Sequence, residues 1–126
     1  MAILVDSDIL IEVTRGRDAG ILKFWHELGD SNEVVMCSPV TVAELWHGAR
    51  PAELQPLGEL FDSLEVITMD RHTGRLAGEI LKKYSKSHGV ELGDALIAAT
   101  SIQCEARLWT RNRKQYPMPS IRFFDA

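Results

Sequence analysis

The sequence predicts an α/β domain in three layers, with helices on both faces of a mostly parallel central sheet of about five strands. Two observations carry this reading. Short β-branched or apolar runs alternate almost throughout with longer stretches whose apolar residues recur at helical spacing. The first run, Ala2 to Val5, is apolar without interruption, the pattern of a strand covered on both faces. Strands separated by helices need crossover connections, and these make neighbouring strands parallel.

In chain order, Ala2–Val5 is the first strand, and Ile9, Leu10 and Val13 begin a helix after it. Ala19 to Leu28 forms a second helix with Ile21, Leu22, Trp25 and Leu28 on one side, ended by Gly29-Asp30. Val34–Cys37 is the second strand. Ser38 then caps a helix with Pro39 in its first turn and Val42, Leu45 and Trp46 along it, which stops before Pro51. Leu54, Leu57, Leu60 and Phe61 mark a short helix that tolerates Pro56 near its start. Leu64–Thr68 is the third strand. Asp70 caps a long amphipathic helix through Leu76, Ile80, Leu81 and Tyr84, closed by Gly89. Leu92–Cys104 is a helix with a small-residue face, Arg107–Thr110 a fourth strand and Ile121–Phe124 a fifth. Trp25, Trp46 and Trp109 lie on apolar faces and are expected in the core.

At 126 residues the chain is expected to form one domain over positions 1–126, with no linker, repeat or low-complexity segment. Its apolar runs, such as Ala95–Ala99, fall far short of the ~20 residues a membrane-spanning helix needs. The opening MAILVDSD has no basic segment, so a secretory signal is not expected. Cys37 and Cys104 are far apart, and His26, His47, His72 and His88 make no zinc spacing with them; a reduced, cytoplasmic protein is the expectation. A net charge of −4 argues against holding nucleic acid on a broad basic surface, and no direct DNA binding is expected of this chain alone.

In open parallel sheets the ligand crevice lies beyond the carboxyl ends of the strands. Asp6 ends the first strand and Glu44 sits early in the helix after the second. Asp94 opens the helix before the fourth, and Thr110-Arg111-Asn112 leaves the fourth. Asp8 adds a carboxylate beside Asp6. Carboxylates converging without His or Cys make a hard-oxygen site, suited to Mg²⁺ or Mn²⁺ rather than zinc. Such an ion polarises a phosphodiester and lowers the pKa of an attacking water, and two ions roughly 4 Å apart serve both attacking and leaving oxygens.

Each residue also has a structural reading. Asp6 can cap the following helix, although Ser7 or Asp8 can serve instead, and capping is the favoured role of Asp8. Glu44 stands three residues after Thr41, a capping-box spacing. Asp94 suits a helix dipole, and Thr110 and Asn112 suit a strand-exit turn. Arg15, Arg111 and Arg113 either meet phosphates or are solvated surface.

Taken together, these segments resemble the PIN-domain ribonucleases. The resemblance rests on ILVDSDILIE from Ile3, SPVTVAELWHGA from Ser38, DALIAAT from Asp94 and WTRN from Trp109, in that order over nearly the whole chain. It implies a Mg²⁺- or Mn²⁺-dependent endoribonuclease, with Asp6, Glu44 and Asp94 as metal-binding catalytic acids and one or two ions. Asp8 is a further ligand candidate, Asn112 a further catalytic candidate, and Ser7, Thr110, Asn112 and Arg111 candidates for positioning substrate or water. Members of this size resemble the toxin half of a VapBC toxin–antitoxin pair: a homodimer that cuts structured RNA such as tRNA or rRNA and is silenced by a cognate antitoxin.

One departure stands out. Many relatives carry an Asp in an Asn-x-x-Asp-Phe segment, where this chain reads NRKQYP and has Gln115 and Tyr116. Either Asp8 or Asn112 compensates, or the site is weakened. A second reading is therefore a PIN-like module that binds RNA or a partner without cutting. A third is a haloacid-dehalogenase-like phosphatase, with Asp6 as nucleophile and Asp8 as acid/base, which leaves Glu44 unexplained.

Overall fold

The computed structural model describes residues 2–125. Strand β1 (Ala2–Val5) is followed by helices α1 (Ser7–Arg15) and α2 (Ala19–Gly29), then β2 (Val34–Cys37), α3 (Pro39–Gly48) and α4 (Leu54–Asp62). The chain continues through β3 (Glu65–Val66), α5 (Arg71–His88), α6 (Leu92–Gln103) and β4 (Arg107–Trp109). Short 3-10 turns lie at Pro51–Glu53 and Arg113–Gln115.

The sheet runs in the order β3-β2-β1-β4 with every pair parallel. β1 lies inside it, and Ile3, Leu4 and Val5 are fully buried, as the uninterrupted apolar run requires. Their side chains alternate between two cores. Ile3 and Val5 pack with Ile9, Leu10, Ile21, Leu28, Leu45 and Leu57, which brings α1 to α4 onto one face. Leu4 packs with Ala77, Ile80, Ala95, Ala98 and Leu108, which brings α5 and α6 onto the other. Helices on both faces of one parallel sheet make the three-layer α/β/α arrangement.

Three helix ends form as the sequence indicates. Ser38 Oγ accepts from Thr41 N at 3.3 Å and Asp70 Oδ1 from Thr73 N at 3.1 Å, each satisfying a free first-turn amide. Gly89 ends α5 at φ +66°, a left-handed position that a side chain would strain.

Three expectations change. The fifth strand over Ile121–Phe124 does not form, and the sheet of the described residues has four strands. Among the described residues one bridge, Leu108 with Phe123, joins that segment to β4, through Leu108 N to Arg122 O at 2.8 Å and Phe124 N to Leu108 O at 2.9 Å. A ladder needs a run of such pairs, and a three-residue β4 offers no further register. The third strand shortens to Glu65–Val66, both exposed at the sheet edge. Trp46 is also not a core residue, being 48% exposed. Leu45 takes the buried stripe of α3, and the next residue lies about 100° around the helix from it.

Candidate active site

The acids gather at the carboxyl end of β1, where the chain leaves the sheet. Asp6 is the N-cap of α1 and is 7% exposed. Its backbone N donates to Trp109 O at 2.9 Å, which carries the β1–β4 register up to the site. Oδ1 accepts from Ser7 N at 2.7 Å, while Oδ2 accepts from Thr110 Oγ1 and from Tyr116 OH, each at 2.9 Å. Asp6 can therefore cap α1 with one oxygen while the other faces Thr110 and Tyr116.

Ser7 Oγ donates to Glu44 Oε1 at 2.7 Å and lies 3.1 Å from Thr41 Oγ1. One buried hydroxyl thus connects the start of α1 to α3, the helix that carries Glu44. Thr110, at the exit of β4, accepts from Asn112 N at 3.0 Å while donating to Asp6. Asp8 Oδ2 accepts from Arg111 N at 2.9 Å. Its Oδ1 is buried with no hydrogen-bond partner among the described residues.

Asp94 stands in the first turn of α6, where its Oδ2 accepts from Glu91 N at 3.2 Å. Burial pushes its carboxyl above the usual carboxylate value, and the charges of Asp6, Glu91 and Glu44 push the same way against the Glu91 N–H. Burial likewise raises the Asp8 carboxyl, helped by the Asp6 charge and opposed by the backbone N–H and the charge of Arg111. Acids at the end of β1 and on α1, α3 and α6, 88 positions apart in sequence between Asp6 and Asp94, thus lie near enough to raise one another's carboxyls.

The remaining candidates are placed differently. Arg111 directs its guanidinium at Glu12, 3.3 Å away, and at Asp18, 3.8 Å away. Asn112 is exposed and enters the network through its backbone. Arg113 pairs with Asp125 at 2.6 Å and lies over the Phe123 ring.

Sequence reasoning passed over Tyr116, noted only as a departure from a pattern. It is 2% exposed, and its phenol is pushed well above the ordinary range by burial, by the Asp6 charge and hydrogen bond, and by the charges of Asp94 and Asp8. The available signal was that a buried tyrosine needs a partner for its hydroxyl, and the strand exit places carboxylates nearby. Glu12 was missed as well; buried at 7% exposure, it takes both Arg17 and Arg111.

An oxygen-only donor set, mutual carboxylate repulsion and the unpartnered Asp8 oxygen fit a hard divalent cation. As they stand, no three His, Cys, Asp or Glu side chains among the described residues are drawn close enough to enclose an ion. The acids share a field without forming a finished shell, as like charges braced by separate donors would. Beside Glu44, a largely apolar cleft of about 400 Å³ opens between α1, α3 and α4, lined by Ile11, Leu45, Leu57 and Leu60.

Residues 3–119 match the PIN domain. Ribonuclease VapC10 of Mycobacterium tuberculosis is 37% identical over 117 residues, covering 92% of this chain and 86% of that protein. Ribonuclease VapC19 of the same organism is 32% identical over 116 residues, covering 91% and 92%. Among solved structures, VapBC2 from Rickettsia felis bound to a promoter DNA fragment matches with a TM-score of 0.82 at 21% identity over 98% of both chains.

Proposed function

This chain belongs to the PIN-domain family, and we propose that it is a Mg²⁺- or Mn²⁺-dependent endoribonuclease, the toxin of a toxin–antitoxin pair silenced by a cognate antitoxin. The observation that carries the catalytic reading is that Asp6 and Glu44 flank Ser7, which donates to one through its backbone N–H and to the other through its hydroxyl, with Asp94 at the start of α6 raised by burial and by the neighbouring acids. Three acids from three elements, gathered against their own repulsion, make sense when a cation offsets them. The toxin assignment is supported by relatives named as VapC ribonucleases over most of their length and by a neighbour solved as a VapBC complex.

In this reading Asp6, Glu44 and Asp94 hold the ion, and Asp8 is a further ligand through its unpartnered oxygen. When bound, the cation supplies Lewis acidity, lowering the pKa of a water and offsetting phosphodiester charge. Ser7 holds Glu44, and Thr110 and Tyr116 hold Asp6, so a cation would complete a shell whose members are already tethered. The substrate proposed is a structured RNA such as tRNA or rRNA. On a chain of net charge −4 its approach depends on the cation and on local arginines such as Arg15 at the cleft. We also propose a homodimer acting in the cytoplasm; no helix among the described residues is long and apolar enough to cross a membrane.

One observation favours the second reading, a scaffold that binds without cutting: the loop after β4 gives Gln115 and Tyr116 to the site in place of a carboxylate. Family membership sets the phosphatase reading aside. RNA ends are to be sequenced from a bacterial host expressing the wild type, with Asp6→Asn as control. New ends at defined sites, absent with Asp6→Asn, support the nuclease. Identical RNA profiles with folded protein in both lysates would overturn it and leave the binding module.

A further inference from the structure

We propose that Tyr116 and Gln115, consecutive residues on the turn after β4, are positioning residues that fix Asp6 and Asp94 relative to one another for a divalent cation. The inference rests on the metal-dependent reading above and names how the chain holds that site open.

Each of the two neighbours reaches an acid on a different element. The Tyr116 ring is anchored in the core with Leu108, Met118 and Ile121, so packing fixes where its hydroxyl stands. That hydroxyl donates to Asp6 Oδ2 at 2.9 Å. Thr110 donates to the same oxygen and Ser7 N to the other, which leaves Asp6 one orientation. With its amide turned so that both ends are satisfied, Gln115 donates from nitrogen to Asp94 Oδ2 at 3.2 Å and to Gly89 O at 3.3 Å. The second contact ties the amide to the bend between α5 and α6, immediately before the helix that carries Asp94. A stretch of two residues therefore bridges the end of β1 and the start of α6.

The chemistry of the pair matters as much as its reach. Both side chains are neutral donors, so they offset the repulsion between carboxylates without adding a cation that would compete with a metal. Hydrogen-bonding partners that orient metal-ligating groups typically govern affinity by about 10- to 100-fold.

The test is Mn²⁺ binding to the full chain, read by the electron paramagnetic resonance of free Mn²⁺, for the wild type, Tyr116→Phe and Gln115→Met. Tyr84→Phe, which deletes the chain's other tyrosine hydroxyl, is the control. Tyr116→Phe and Gln115→Met are expected to bind about 10-fold or more weakly, with Tyr84→Phe unchanged. Unfolding curves in chelator report whether each variant is folded; should Tyr116→Phe fail to fold, Gln115→Met, at a partly exposed position, decides. Folded variants that bind Mn²⁺ as tightly as the wild type overturn the inference while leaving the metal reading standing. A wild type that takes up no Mn²⁺ overturns both.

Discussion

Ser7 donates its hydroxyl proton to Glu44 Oε1 across 2.7 Å, and so ties the residue after Asp6 to a helix 37 positions away. Glu44 is exposed on α3, and this is its hydrogen bond to the rest of the site among the described residues. The Ser7→Ala variant should therefore free Glu44 while leaving Asp6 capped through the unchanged backbone N–H of residue 7. RNA cleavage is expected to fall by about 10- to 100-fold, the usual cost of losing a group that orients a ligand. Glu44→Gln should cost more, because it removes the charge itself. Gel assays of RNA cleavage at saturating Mg²⁺ compare the two, and Ser7→Ala cutting at the wild-type rate would remove Ser7 from the machinery.

The Asp94 carboxyl gives a prediction about stability rather than activity. Burial, with the charges of Asp6, Glu91 and Glu44, raises it above the ordinary 3.8 in the folded protein. As pH rises, the unfolded chain gives up this proton first. The group's favourable contribution is full below the unfolded value and is lost as pH passes through the folded one. Asp94→Asn keeps an acceptor for the Glu91 N–H and removes the charge, so in chelator near pH 7 it should raise the Tm by about 2–4 °C. The gain should shrink as pH falls toward the ordinary carboxylate value. Calorimetry across that range checks it, and a variant less stable than wild type at neutral pH would show that the cap outweighs the repulsion.

Most of this fold was legible because its elements announce themselves locally. The apolar run Ala2–Val5, the caps Ser38 and Asp70 and the left-handed Gly89 each act over a few residues, and each stands where expected. Leu64–Thr68 and Ile121–Phe124 were misjudged in extent because strand length depends on a partner's register, which no local pattern records. The same divide runs through the site. Asp6, Glu44 and Asp94 could be proposed from strand ends and helix starts. The contact of Tyr116 with Asp6 spans 110 positions and exists only once β4 lies beside β1.

Arg111 separates a phosphate contact from a structural one. Its guanidinium meets Glu12 and Asp18, and its backbone N–H meets Asp8. Arg111→Ala loses the guanidinium contacts and its charge near Asp8 but keeps the backbone bond, and Arg17 continues to pair with the buried Glu12 at 3.1 Å. A stability loss of about 1 kcal/mol or less is expected, given that Arg111 is half exposed. RNA affinity should be unchanged. Denaturant melts and filter binding measure the two effects separately, and a marked loss of RNA binding at unchanged stability would return Arg111 to the substrate surface.

The proposed homodimer turns on Trp46 and Leu54, large apolar side chains 48% and 37% exposed on the consecutive helices α3 and α4. Water gains when such surface is covered, at about 25 cal/mol for each Å² of apolar area. A charge placed there resists burial far more than it disturbs the monomer, since Trp46 contributes little to either core. Trp46→Glu is therefore expected to fold with a near-normal Tm and to sediment as a monomer under conditions in which the wild type is a dimer. Glu44 lies two residues away on α3, so the same variant reports whether cleavage depends on assembly. Sedimentation velocity over a concentration series decides: a wild type monomeric throughout removes the dimer, and a variant that still dimerises moves the interface elsewhere.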